Sequence, residues 1–173
     1  EVAVRNAGRE FRKLGLQAVA VTSVFSPVVP DHEDRAAAIL AEIIPGVHIT
    51  KSAKLGGVGI LERENATIVN AALSAEVARM IAGFRAAVAE LGLSVPVFLT
   101  QNDGTILGVE RARRYPVLTF ASGPTNSMRG AFRLSGIENA LVADVGGTTT
   151  DIGTLVEGYP RQAAGAVDLG GIR

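Results

Sequence analysis

Two apolar runs, Ala140-Leu141-Val142-Ala143 and Ile152-Gly153-Thr154-Leu155-Val156, are joined by Asp144-Val145-Gly146-Gly147-Thr148-Thr149-Thr150-Asp151. Short β-rich runs linked through adjacent glycines predict a hairpin. The link is unusual because two carboxylates bracket two glycines and three consecutive hydroxyls. Glycine reaches left-handed dihedrals at no steric cost, which lets successive backbone N–H groups converge on one point. Such a set of donors suits a phosphate. The hydroxyls of Thr148, Thr149 and Thr150 can add hydrogen bonds, and a carboxylate can hold Mg²⁺ through its water shell. A plain two-residue Gly-Gly hairpin with a polar tip uses the same residues equally well. The residues alone leave both readings open.

The rest of the chain predicts an α/β fold in which helices alternate with short strands. Val4, Ala7, Phe11 and Leu14 recur at helical spacing, Gly15 is placed as a left-handed cap, and Leu16–Val21 is of strand type. A helix followed by a buried strand is the repeating unit of an α/β sheet. Thr22–Pro27 falls at the strand's end, where such sheets bind ligands, although a loop suffices to explain it. Asp31 is expected to cap the next helix, with Glu33 and Asp34 complementing its positive end. Ala36, Ile39, Leu40 and Ile43 form its apolar side, and Pro45-Gly46 stops it. His32 reads as a solvated first-turn residue. His48, in a strand over 47–50, has no second ligand at metal spacing.

Lys51–Gly59 reads as a flexible connection, since Lys54-Leu55-Gly56-Gly57-Val58-Gly59 lacks the Gly-Lys-Ser/Thr of a P-loop. The longest helical signal runs from about Thr67 to Leu91. Its stripe of Leu73, Val77, Met80, Ile81, Phe84, Val88 and Leu91 is expected in the core, with Gly92 ending the helix. A strand over 95–100, a turn at Gln101-Asn102-Asp103-Gly104 and a short basic helix at 110–114 follow. Pro116 then breaks the chain before the apolar run 117–120. Pro124 opens a helix with Met128, Ala131, Phe132 and Leu134 on its apolar side and Gly136 at its end. Ser122 and Gly123 thus sit at a helix N-terminus, which favours anions. A capping serine beside a tightly packed glycine explains them as well.

Composition removes several classes of function. Lys+Arg and Asp+Glu both number 17, so no net field draws the chain to nucleic acid or to a membrane surface. No apolar run approaches the roughly 18 residues that span a bilayer. The absence of cysteine excludes thiol nucleophiles and cysteine metal sites and fits a cytoplasmic enzyme. With 47% hydrophobic and 20% charged residues, the chain can fill a core. The start at Glu1 and the end at Gly170-Gly171-Ile172-Arg173 lead us to expect a piece of a longer protein.

Asp-x-Gly-Gly-Thr-x-x-Asp between two strands resembles the phosphate loop of the actin, sugar-kinase and chaperone ATPase superfamily. Ser122-Gly123-Pro124-Thr125-Asn126-Ser127-Met128-Arg129-Gly130-Ala131 before it and Gly158-Tyr159-Pro160-Arg161 after it resemble the hydantoinase A/5-oxoprolinase family. Pro30, His32, Glu33, Arg35, Leu61–Asn65, Asn70-Ala71 and the polar-Asp-Gly turn extend the likeness. That family opens cyclic amides at the expense of ATP and is related to acetone carboxylase subunits.

The resemblance implies a partial actin-like ATPase (ribonuclease H-like) architecture. Residues 1–137 would be the rear of a first lobe and 138–173 the start of a second, with a family sequence division near Asn65. It implies ATP and Mg²⁺ as cofactors, a small cyclic-amide substrate and a hydantoinase B-type second subunit. Gly146, Gly147, Thr148, Thr149, Thr150, Ser122 and Gly123 would hold the nucleotide. Asp144 and Asp151 would be catalytic, with Asp144 the one that faces Mg²⁺ through water. An acetone carboxylase-type subunit or a non-enzymatic nucleotide switch are the alternatives. The Asp-Gly-Gly-Thr-type first loop of the family does not occur in these 173 residues, so the isolated chain is expected not to turn over ATP.

Overall fold

A computed structural model describes residues 1–56 and 59–161. They form two units, Glu1–Gly83 and the residues from Phe84 onward. Gly57, Val58 and the C-terminal glycines of the sequence reading lie outside the described residues. Among the described residues no helix is long and apolar enough to cross a membrane.

The first unit contains α1 (Val2–Lys13), β1 (Ala18–Val21), α2 (Asp31–Ile43), β2 (His48–Lys51) and the start of α3 (Ile60–Glu90). β1 and β2 pair in parallel, with Ala18 opposite His48 and Val21 opposite Lys51. Parallel neighbours need a crossover, and α2 supplies it. Ile39, Leu40, Ile44, Val19 and Ala71 make the apolar core. α1 lies close on α2 because Gly8 has no side chain: a Cβ there would sit 3.1 Å from both Leu40 and Ile43.

At the C-terminal ends of the two strands the interior is polar. Glu33 and Arg63 are 0% and 1% exposed. Glu33 Oε1 accepts the Ser23 N–H at 2.8 Å and the Ser52 hydroxyl at 2.5 Å, while Oε2 accepts the Ala53 N–H at 2.9 Å. Arg63 Nε donates to Ser52 Oγ at 3.0 Å, and its Nη2 donates to the carbonyls of Ser23 at 2.6 Å and Val24 at 3.1 Å. Ser26 Oγ lies 3.0 Å from Ser52 Oγ. One hydroxyl, Ser52, thus bridges two buried charged groups and both strand exits. With Ser26 turned inward, Val24, Phe25 and Val28 are left exposed on the outside of the same loop.

This cluster corrects several expectations. Pro30, not Asp31, is the N-cap of α2, and Glu33 is a buried ligand of backbone amides, not a solvated dipole partner. Ser52–Lys54 is a 3₁₀ turn fixed through Glu33, not a loose connection. α3 begins at Ile60, seven residues before the apolar stripe suggests, because its first turns bury Arg63, Thr67, Asn70 and Ser74. Asn70 reaches Thr50 Oγ1 at 3.0 Å, and Thr67 bonds the Arg63 carbonyl at 2.6 Å. The expected stripe is covered only in part, with Leu73, Val77 and Val88 half-buried and Leu91 exposed. Met80 and Phe84 are 51% and 55% exposed, whereas Ile81 is buried.

The second unit contains β3 (Phe98–Thr100), β4 (Ile106–Gly108), α4 (Val109–Arg114), α5 (Gly123–Ser135), β5 (Ala140–Val145), β6 (Thr150–Val156) and β7 (Tyr159–Pro160). β3 and β4 form an antiparallel hairpin, so the strand expected over 95–100 is shorter and has a partner that its polar turn concealed. The apolar run after Pro116 is a 3₁₀ turn. β5, β6 and β7 form an antiparallel sheet in that order. Glu157 and Gly158, at φ 51° and 77°, turn β6 into β7 as a tight hairpin. α5 packs on this sheet through Met128, while Leu134, expected on its apolar side, is 91% exposed.

Burial by itself raises the Glu33 pKa, but the hydrogen bonds from Ser52, Ala53, Ser26 and Ser23 outweigh it and hold the carboxyl below its ordinary value. A group with a depressed folded pKa contributes stability that is present above its unfolded pKa, about 4.3, and is lost as pH falls through the folded value. Glu33→Gln turns an NH₂ toward N–H and O–H donors and removes a buried acceptor charge from the cluster. We expect a loss of about 3 kcal/mol at pH 7. The penalty should shrink toward pH 3, which urea midpoints of both proteins across that range will measure.

Candidate functional site

The hairpin forms as expected, with Ala140 opposite Leu155, Asp144 opposite Asp151 and Val145 opposite Thr150. Directly opposed residues of an antiparallel pair project to one face of the sheet. Ala140, Val142 and Asp144 therefore share a face with Leu155, Gly153 and Asp151. That face carries α5. Leu155 is buried, and a Cβ on Gly153 would fall inside the Met128 thioether. The opposite face, with Leu141, Val145 and Ile152, is exposed.

Three contacts fix the direction of α5. Phe132 packs on Gly158, Met128 on Gly153, and the Ser127 hydroxyl donates to Asp144 Oδ2 at 2.5 Å. Moving toward the helix N-terminus therefore means moving along β5 toward the tip. α5 runs antiparallel to β5, and Ser122-Gly123 and Gly146–Thr149 lie at the same end of the unit. A helix start offers amides without helical acceptors and the positive end of the dipole. The preceding Ala121 sits at φ 54°, a left-handed conformation that a β-carbon disfavours.

The tip is built differently from the sequence expectation. Neither Gly146 nor Gly147 takes a left-handed backbone. The Gly146 N–H closes the turn onto the Thr149 carbonyl at 2.9 Å, so it is not free for a ligand. The Gly147 and Thr148 amides have no backbone acceptor among the described residues. What glycine provides here is space: a Cβ on Gly147 would meet nothing within 4 Å, and one on Gly146 would lie 3.2 Å from the Thr149 oxygen. Thr148 and Thr149 are exposed in the turn, and Thr150 is the first residue of β6. Ser122 is the N-cap of α5 but makes no side-chain cap bond; its carbonyl accepts the Thr125 hydroxyl at 2.9 Å.

Asp144 and Asp151 are both exposed at the mouth of the hairpin. Like charges directly opposed on a strand pair destabilise it unless a cation or water separates them. No group of three or more metal-ligating side chains occurs among the described residues. Two carboxylates beside free amides and hydroxyls fit a hard cation that keeps most of its water and takes ligand oxygens, the habit of Mg²⁺. Asp144 and Asp151 are the residues that would hold it. With Asp144, Thr148, Thr149 and Asp151 all exposed, the tip is open to solvent.

The sequence reading missed how the helix start is braced. Asn126 Nδ2 donates to Thr100 Oγ1 at 2.9 Å, and the Thr125 hydroxyl lies 3.4 Å from the Gln101 carbonyl. Asp103, expected as a turn residue, is committed to that turn. It accepts the Thr105 hydroxyl at 2.7 Å and the Thr105 N–H at 2.9 Å, which hold its carboxyl below the usual range. Ser127 also went unassigned, because nothing in the sequence ties position 127 to 144.

Gly123, like Gly147, has open space where a Cβ would stand and no left-handed backbone to protect. Gly147→Ala and Gly123→Ala should therefore leave the thermal midpoint within about 2 °C or raise it slightly. If these glycines exist to admit a phosphate, both variants should weaken nucleotide binding about tenfold or more, read by titration with a fluorescent ADP analogue. Unchanged binding in both would leave a plain hairpin.

Comparison with known proteins agrees with this architecture. The chain is 32% identical over 162 residues to caprolactamase subunit alpha of Pseudomonas jessenii, covering 91% of this chain and 23% of that protein. The crystal structure of ATP-dependent caprolactamase from Pseudomonas jessenii superposes with a TM-score of 0.77 at 31% identity, over 88% of this chain and 23% of that one. Nucleotide-free acetone carboxylase superposes with a TM-score of 0.73 at 22% identity, over 90% of this chain and 23% of that one, a likeness of fold. The chain thus spans about a quarter of the length of the relatives it matches, and its fold is of their actin-like ATPase type. The hydantoinase/oxoprolinase family pattern matches residues 63–170, and the chain belongs to that family.

Proposed function

We propose that the protein of which these residues are part uses ATP to open a cyclic amide, and that this chain supplies one wall of the nucleotide site. The observation that carries the reading is the placement of α5. Its N-terminal Ser122-Gly123 lies at the tip end of the Gly146–Thr149 turn, with Asp144 and Asp151 side by side below. In this reading the amides of Gly147, Thr148 and the α5 start, with the hydroxyls of Thr148 to Thr150, hold phosphate oxygens. Asp144 and Asp151 orient the water shell of Mg²⁺, which when bound supplies positive charge against the phosphates.

The chemistry follows from how resistant an amide is. Transfer of the γ-phosphoryl group of ATP to the amide oxygen forms an O–P bond and releases ADP. Water then adds to the activated carbon, the adduct expels the ring nitrogen as a protonated amine as the C–N bond breaks, and a second water hydrolyses the resulting acyl phosphate to carboxylate and phosphate. Positioning and charge stabilisation dominate such phosphoryl transfers. We assign residues 1–137 to the rear of one lobe and place the start of the second at residue 138, which leaves the partner phosphate loop to the remainder of the protein.

A lactam or hydantoin is favoured over a ketone because the caprolactamase relative is 32% identical, whereas acetone carboxylase shares the fold at 22%. The relative's designation as subunit alpha supports a second, hydantoinase B-type subunit here too. We place the enzyme in the cytoplasm. The deciding assay is ATP turnover by the full-length protein with its second subunit, with and without caprolactam, hydantoin, 5-oxoproline and acetone. Stimulation by acetone alone would transfer the assignment to the carboxylase class.

Both aspartates lie on paired strands, but Asp144 is also held by Ser127, and Asp151 has no comparable bond among the described residues. Asp144→Asn should lower ATP turnover by about two orders of magnitude, close to 3 kcal/mol of transition-state stabilisation. Asp151→Asn should cost less, and neither exposed residue should shift the thermal midpoint by more than about 2 °C. Wild-type turnover in Asp144→Asn would refute the assignment.

A further inference from the structure

Ser127 stands one turn into α5, and its hydroxyl gives Asp144 Oδ2 a hydrogen bond of 2.5 Å. We propose that Ser127 is a positioning residue of the cation site, setting the rotamer of Asp144 so that its other oxygen meets the metal's water shell. The inference rests on the reading of Asp144 and Asp151 as the carboxylates that hold Mg²⁺.

Three observations separate this from a mere staple between helix and sheet. First, Asp144 and Asp151 are direct cross-strand partners. Two like charges so placed drive their side chains to rotamers that point apart unless something restrains one of them. Ser127 restrains Asp144, and Asp151 has no comparable anchor among the described residues.

Second, the restraint is neutral. An arginine would cancel the charge that a cation needs, whereas a hydroxyl orients the carboxylate and leaves its charge intact. The nearest candidate on the helix is turned away. Arg129 donates to the Gly158 carbonyl at 2.5 Å and lies 4.7 Å from the Tyr159 ring centroid. Third, the element that carries Ser127 also carries Ser122-Gly123 at its start. The phosphate end and the carboxylate are therefore held on one rigid helix, which keeps their separation constant.

The test uses the full-length protein with Ser127→Ala, Ser127→Thr and Asp144→Asn. Mn²⁺ binding in the presence of ADP is followed by loss of the free-ion electron paramagnetic signal, and ATP turnover is followed against free Mg²⁺. Ser127→Ala should weaken Mn²⁺ binding about three- to tenfold and raise the half-saturating Mg²⁺ by a similar factor. Ser127→Thr, which keeps the hydroxyl, should bind like wild type.

Wild-type Mn²⁺ binding in Ser127→Ala overturns the inference, whatever the thermal midpoint does, since a staple moves only stability. If Asp144→Asn weakens the metal and Ser127→Ala does not, only the role of Ser127 falls. If Asp144→Asn leaves metal binding unchanged, the cation site itself is wrong. Should Ser127→Ala fail to fold, Ser127→Cys replaces it: weakened binding there with wild-type binding in Ser127→Thr supports the proposal, and wild-type binding in both overturns it.

Discussion

α5 reaches the β5–β6–β7 sheet only because two positions beneath it carry no side chain. Any Cβ on Gly153 would occupy the Met128 thioether, and one on Gly158 would lie 2.8 Å from the Phe132 ring. This close approach brings Ser127 within hydrogen-bond range of Asp144, and it sets α5 antiparallel to β5. From that single seating follow the shared end of helix start and hairpin tip and the hold on Asp144. Close packing transmits such constraints because interiors leave little slack.

The first unit solves a different problem. Its two parallel strands end in backbone groups that need partners away from water. Glu33 and Arg63 supply them, the carboxylate taking N–H groups and the guanidinium giving to carbonyls, with Ser52 between. Burying charge is costly unless every lone pair and proton is matched. Here the matching partners are the strand exits themselves, so the polar cluster defines where the loops leave the sheet. The inward turn of Ser26 is the counterpart of the outward turn of Val24, Phe25 and Val28. Loop polarity is inverted because hydrogen bonding, not solvent, selects which residues face in.

The chain has the caprolactamase-like fold of the hydantoinase/oxoprolinase family, and on the proposed reading it forms one wall of a nucleotide site. Two carboxylates leave most positions of a hard cation's shell to water and phosphate oxygens. An open tip with small residues lets a polyanion approach without displacing side chains. The glycines at 123 and 147 contribute absence of bulk, a role that dihedral reasoning on a Gly-Gly pair does not reveal.

The hairpin, the left-handed cap at Gly15 and the helix ends at Gly92 and Gly136 were legible in the residue pattern, because each is a local matter of apolar alternation or missing Cβ. The polar start of α3 was not legible. Arg63, Thr67, Asn70 and Ser74 are periodic, but a pattern search for apolar faces passes over a buried face made of hydrogen-bonding groups. Met80 and Phe84 misled for the reverse reason: periodicity says that a face exists and not what covers it. The pairing of β3 with β4 and the bond from Ser127 to Asp144 were likewise beyond reach, since each joins residues that only the packing of the chain makes neighbours. By itself the sequence determined the elements that local apolar patterning and glycine ends mark out, the β5–β6 hairpin among them. Tertiary structure alone decided which carboxylate is held and by what, because hydrogen-bond partners distant in sequence are chosen by the closeness of packed surfaces.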